Sequence, residues 1–330
     1  MSLDQTFLQS TILPATQIEI ASRFWGSGSV EARYLRPYFQ YYTDQCRIVY
    51  LSHKAQLPVK THQDLVDIAI DIRDNFTRQE LKDKLIQKYA SSEPVASDAL
   101  DASIDLTVRL VCMLDVGDLP NVFSGRRKLI WSHGLLQDFM QELFPEKVPL
   151  NHDGLRLGRD FNISNMVRIG GFKVELTTNL ADHLRLRDTD RTVSVFHHAS
   201  FLKGQRHSTL FPAGLIDETF ATLSLLFPHR DRACERWYNK QEPSDELDQS
   251  VLKCGPSQRR IEQYNYWHDR LVILKEEFDE SRPSTLSQWW NDRREGTQWY
   301  TFWVAISLTL LFGLFQSITG AMQVYKAYHP

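Results

Sequence analysis

THQDLVDIAIDIRDNF (61–76), TRQELKDKLIQKYA (77–90) and SDALDASIDLTVRLVC (97–112) lie almost end to end, and their periods predict three consecutive helices. In the first, Leu65, Ile68, Ala69 and Ile72 fall at i, i+3, i+4 and i+7, one face of a 3.6-residue turn. In the second, Thr77 and Glu80 stand at capping-box spacing, hydroxyl and carboxylate each able to take the other's backbone N–H. Leu81, Leu85 and Tyr89 then line one side. After SSEPVAS, the third helix turns Leu100, Ile104, Val108 and Val111 inward. The turn-rich DVGDLPNVFSGRRKLIWSHG (115–134) predicts a hairpin, and residues 135–144 a further helix. Three helices and a hairpin are the winged-helix order. The fold class expected is mainly α with minor β: a winged-helix-like helical region, small β elements, a long helix and one C-terminal transmembrane helix.

Winged helices often read DNA with the third helix, but charge opposes that here. Asp98, Asp101 and Asp105 put three carboxylates on the face expected to be exposed, and phosphate contacts need positive charge. Arg126, Arg127 and Lys128 in the expected wing are a small counterweight, and the chain's net charge is −3. Nucleic acid is therefore not an expected partner, and a membrane-tethered nucleic-acid-binding regulator is the weakest alternative. RYLRPYFQYY (33–42), with its interleaved rings and arginines, reads as the edge of a core with cation–π contacts.

Residues 165–205 read as mixed strand and helix. Phe172, Val174 and Leu176 alternate with polar residues, and RTVSVFHHASFL (191–202) predicts a second strand. His183, His197, His198 and His207 are the densest histidine run, and His183 or His198 is the candidate general base if the chain is an enzyme. As strand neighbours, His197 and His198 would point to opposite faces and could not share a metal. HExxH, paired Cys/His spacing, GxGxxG, GxxxxGK[ST] and GxSxG do not occur, so no metal and no cofactor are expected.

GLIDETFATLSLLFP (214–228) predicts an apolar helix, and NKQEPSDELDQS (239–250) an exposed linker. From about Ser257 to Glu280 a long helix is expected. Its seam of Tyr264, Trp267, Leu271, Leu274 and Phe278 is too short for a sustained coiled coil, and is read as packing on the same chain.

The thirty residues from Gly296 to Tyr325 carry no formal charge, and Phe302–Met322 as a helix would extend about 31 Å, a bilayer's hydrocarbon thickness. Trp299, Tyr300 and Trp303 at one end, with Tyr325 and Tyr328 at the other, match interfacial belts; Trp289, Trp290, Arg293 and Arg294 fit the headgroup level. Arg282, Arg293 and Arg294 outweigh Lys326, which places the N-terminal part in the cytosol. With so few residues beyond it, the span is expected to insert after synthesis as a C-tail anchor in the endoplasmic reticulum or another endomembrane. Ala305, Thr309, Gly313, Ser317 and Ala321 form a small-residue ridge, flanked by Gln316 and Gln323, which could pair the span with a second copy or another membrane protein.

The expected segments are 1–60, aromatic and polar; 61–228, globular; 229–255, polar linker; 256–298, juxtamembrane helical; 299–323, transmembrane; and 324–330, a short tail. No signal peptide is read in the opening residues, and Cys46, Cys112, Cys234 and Cys254 lie far apart, as suits reduced thiols in a cytosolic domain.

At LADHLRL, FHHASFL and, above all, WWNDRREGTQWYTFWVA…GAMQVYKAYHP, the chain resembles a widespread group of single-span proteins of filamentous fungi. The resemblance covers most of the chain and is strongest over 256–330. It implies a membrane-anchored fungal protein and carries over no catalytic residues. The leading expectation is a non-catalytic anchor or scaffold presenting a cytosolic helical domain to protein partners at an endomembrane. An accessory protein or enzyme of a specialised-metabolite pathway, using the 183–207 histidine region, is the alternative.

Overall fold

The computed structural model describes residues 3–8, 12–26, 34–53, 57–90, 96–119, 128–146, 155–241, 246–281, 290 and 296–328. It is mainly helical with one small sheet. The three helices lie where the periods placed them. In the numbering used from here, α1 is Pro14–Trp25, α2 Arg36–His53, α3 His62–Arg73, α4 Arg78–Tyr89 and α5 Ser97–Cys112. The capping box before α4 is formed, with Thr77 N–H donating to the Glu80 carboxylate at 2.8 Å. A second one, Thr61 with Asp64, opens α3. Asp64 also binds Lys88 Nζ and Tyr89 Oη of α4, both at 2.9 Å, so one carboxylate caps α3 and clasps it to α4.

Helix α5 is the centre of this region rather than its rim. It packs on α2, α3 and α4, and its residues from Ser103 to Cys112 are buried except Asp105. The last turn of a helix leaves carbonyls without intrahelical partners. Here Tyr41 Oη donates to the Arg109 carbonyl (3.2 Å), Tyr38 Oη to that of Leu110 (2.7 Å) and Gln205 Nε2 to that of Val111 (2.8 Å). The aromatic run of 34–42 is thus core and not core edge, and Arg33 lies outside the described residues. Residues 1–60 are not a separate segment either. Their helices α1 and α2 enter the same core, with Trp25 edge-on to Tyr38 at 4.8 Å. Helix α2 is amphipathic, burying Tyr38, Tyr41, Tyr42, Cys46 and Val49 while Arg36, Gln40 and Arg47 stay exposed at helical spacing. The punctuation of α1 was there to read: Pro14 opens it and Gly26, at φ 67°, closes it in the left-handed region.

Beyond α5, Val116 and Leu129 make one parallel bridge, and residues 120–127, including Arg126 and Arg127, at the centre of the expected hairpin, lie outside the described residues. Next come α6 (Leu136–Leu143) and α7 (Ile163–Arg168). A three-stranded sheet follows: β1 (Lys173–Thr177), β2 (Arg185–Arg187) and β3 (Thr192–Phe196), in the order β1-β3-β2. Central β3 runs parallel to β1, with Val174 opposite Val193, and antiparallel to β2. Helices α8 (Ala199–Gln205), α9 (Leu215–Leu226), α10 (Arg232–Tyr238) and α11 (His268–Glu280) complete the body, and α12 (Gly296–Tyr328) is the last element.

Two expectations are corrected here. Residues 229–255 are not an exposed linker, because α10 buries Cys234 and Tyr238, and Leu247, Asp248 and Val251 are buried as well. Asp248 accepts the N–H groups of Ser200 (2.6 Å) and Ser250 (2.9 Å), which removes the cost of burying a carboxylate in a polar-looking stretch. The long helix begins at His268 and not near Ser257. Its seam residues Tyr264, Trp267, Leu271, Leu274 and Phe278 are all buried within the same chain, so residues 256–281 belong to the body.

Candidate functional site

Helix α12 contains Trp299–Tyr325, 27 residues of mean hydropathy 1.7, long and apolar enough to cross a membrane and with none of its most apolar stretch buried. At about 1.5 Å per residue this is roughly 39 Å, close to a bilayer core with its interfacial layers. Several of its hydroxyls are satisfied within the helix. Thr309 Oγ1 donates to the Ala305 carbonyl (2.8 Å), Ser317 Oγ to Gly313 (2.9 Å) and Thr319 Oγ1 to Phe315 (2.8 Å). Lipid offers no hydrogen-bond partners, so such internal closure is what it requires. The ridge of Ala305, Thr309, Gly313, Ser317 and Ala321 is exposed along its length, and a Cβ added at Gly313 would meet nothing within 4 Å.

At the N-terminal end of α12 the rings gather. Trp299 Nε1 donates to the Trp290 carbonyl at 3.1 Å, and the Trp290 ring stands edge-on to Trp299 at 5.7 Å and to Trp303 at 4.7 Å. Of the residues expected at the headgroup level, the structure brings together Trp290, Trp299 and Trp303. Trp289, Arg293 and Arg294 lie outside the described residues.

The candidate histidines are core groups. His183 is fully buried. Its Nδ1 accepts the Phe196 N–H at 3.1 Å, so the proton sits on Nε2, which donates to Thr222 Oγ1 at 2.7 Å; that hydroxyl donates to the Thr219 carbonyl. Burial, with the nearby Arg270 guanidinium, lowers its pKa to about 3, and Trp267 stands edge-on at 4.9 Å. This ring bonds β3 to α9, leaving no basic nitrogen free for a substrate proton.

The opposite-face expectation for His197 and His198 is overturned. β3 ends at Phe196 and α8 starts at Ala199, so both histidines lie in the connection and their rings approach to 4.3 Å. His197 contacts the carbonyls of Thr177 (3.2 Å) and Glu246 (3.3 Å). His198 is 1% exposed, both its nitrogens lack a hydrogen-bond partner, and burial pushes its pKa far down. His207 is exposed and stands apart. Among the described residues no three His, Cys, Asp or Glu side chains gather to hold a metal ion.

The acidic face of α5 is also not simply solvated. Arg78 of α4 binds Asp105 at 2.6 Å and Asp101 at 3.0 Å, and Lys82 binds Asp101 at 2.8 Å, while Asp98 stays exposed. Burial raises the Asp105 pKa against the pull of Arg78. The apolar faces of α5 are thus buried and part of its acidic strip is tied to α4.

Sequence reading missed Glu218 of α9. This buried carboxylate accepts the consecutive backbone N–H groups of Asn265 (2.8 Å), Tyr266 (2.8 Å) and Trp267 (2.7 Å), fixing the entry to α11. The available signal was a charge inside an otherwise apolar helix. Arg78 was missed because it follows a capping threonine, where a cation reads as surface.

No protein-family model matches the chain, and neither does any curated protein or solved structure.

Proposed function

We propose that the chain is a single-span membrane protein whose body, residues 3–281, is held on the cytosolic side of an endomembrane as a non-catalytic interaction domain. One observation carries this reading: α12 presents an uncharged 27-residue stretch of mean hydropathy 1.7, turns the hydroxyls of Thr309 and Ser317 back to its own carbonyls and carries aromatic rings at both ends. In water so much exposed apolar surface would be strongly unfavourable, and in lipid it is matched. The histidines favour an interaction domain over an enzyme, since His183 is consumed in a structural bond and His198 is shut away from solvent.

Flotation and carbonate extraction of the full chain test the span. It should remain with the membrane in alkaline carbonate, and release into the soluble fraction would refute the reading. Glycosylation acceptor sites appended after Pro330 test the orientation, and should be modified while Asn75, which is exposed, stays bare. Asn162 cannot report, because it is 4% exposed and its side chain caps α7 by accepting the Asn165 N–H.

A further inference from the structure

We infer that Trp290, Trp299 and Trp303 form a corner seated in the lipid headgroup layer, which holds the α11 end of the body against the bilayer surface. The inference rests on the membrane-span reading above and adds to it where the body lies.

Trp290 is nine residues before Trp299 in the chain, yet its carbonyl accepts the Trp299 indole N–H and its ring lies against both Trp299 and Trp303. Trp290 therefore lies against the first turns of α12 and not beyond its end. Three indoles are joined there, and Trp290 keeps half of its surface exposed. An indole cluster continuous with an apolar span has one natural solvent, the interfacial layer, where an aromatic body and a polar N–H are both accommodated. Water would leave the outer rings exposed, and the hydrocarbon core would offer no partner to an indole N–H.

The body is fixed close to this corner by chain length. Phe278 is fully buried and packs edge-on to Phe161 at 5.7 Å, and Ser281, the next described residue after α11, is buried too. From Ser281 to Trp290 there are nine Cα steps, at most about 32 Å of extended chain. If the chain were pinned only at Trp299, eighteen steps would allow about 65 Å. Trp290 thus halves the distance to which the C-terminal end of α11 can retreat from the lipid.

The test uses the full chain with Cys254→Ser and Glu280→Cys, since Cys46, Cys112 and Cys234 are buried and Glu280 is exposed. A donor dye at position 280 is measured in phosphatidylcholine vesicles carrying an acceptor on a phosphatidylethanolamine headgroup. Strong transfer is expected, falling at least twofold when a forty-residue Gly/Ser segment, about 35 Å in root-mean-square span, is inserted after residue 285. Trp290→Ala should keep full flotation with the vesicles and lose at least a third of the transfer. Full flotation with transfer unchanged by Trp290→Ala would overturn the corner while leaving the span standing. Failure of the unsubstituted chain to float would instead overturn the span itself.

Discussion

Helices α9 and α12 have similarly apolar sequences and opposite surroundings. In α9 every polar side chain facing the body has a tertiary partner. Glu218 takes three backbone N–H groups, Thr219 Oγ1 receives the Trp267 indole N–H at 2.9 Å, and Thr222 receives the His183 proton. In α12 the hydroxyls of Thr309, Ser317 and Thr319 turn back to carbonyls three or four residues behind. The hydroxyls of Thr219, Thr222 and Ser224 in α9 turn back in the same way. The difference is the tertiary partner that each of them gains besides, which a helix proposed to lie in lipid does not have. A helix in a protein interior can carry charge and polarity because neighbours answer them, whereas a helix destined for lipid must answer its own.

The comparison breaks most sharply at tryptophan. Trp267 is buried between Phe144, His183 and Arg270, so Trp267→Ala should destabilise the body by about 3–5 kcal/mol. In a thermal melt this is a fall of roughly 10 °C. Trp303→Ala in α12 should leave the same melt unmoved. Equal shifts would mean that α12 is part of the body's core.

The converse substitution is Leu311→Lys. A lysine at the centre of a span costs about 3 kcal/mol on insertion scales, so carbonate-resistant protein should drop severalfold while the body melts as before. Unchanged membrane retention would show that α12 is not what holds the chain there.

Acid should find the body before the span. His183 titrates at an ordinary 6.5 when unfolded and near 3 when folded, so the unfolded state binds the proton first. Its contribution to stability is complete above pH 6.5 and is lost as pH falls toward 3, at about 1.4 kcal/mol by pH 5.5. Buried His62, lowered to about 4, and His198 act with the same sign. Denaturant melts at pH 7.5 and 5.5 should show the loss, and His183→Gln should remove its share and leave that of the other buried histidines. A melt indifferent to this range would mean that the ring is hydrated.

The smallest effect expected is at a local signal. Thr77→Ala removes one side of the α4 capping box and should cost about 1 kcal/mol. Glu80→Gln, which can still accept the Thr77 N–H, should cost less. The reverse order would assign the stability to the charge rather than the cap.

These sites also mark what could be read in advance. Helices α3, α4 and α5 followed from a 3.6-residue period and a capping box because both are local, and α12 followed from uncharged length. Helix α2 does carry a period, with Arg36, Gln40, Thr43, Asp44 and Arg47 along its outer face, but the dense interleaving of rings and arginines masks it in a reading by composition. Likewise Asp248 and the 229–255 stretch were read as surface, since composition records polarity and not the N–H groups that satisfy it.

The sequence by itself therefore determined that the segments of α3, α4 and α5 are helical and which segment is suited to lipid, because periodicity, capping and apolar length are properties of one segment alone. Tertiary structure decided that α5 is a centre and not a rim, that His183 and Glu218 are braces, and that Trp290 lies against α12. Those outcomes depend on which distant groups meet a buried donor or carboxylate, and a buried polar group takes its role from the partner that pays for its desolvation.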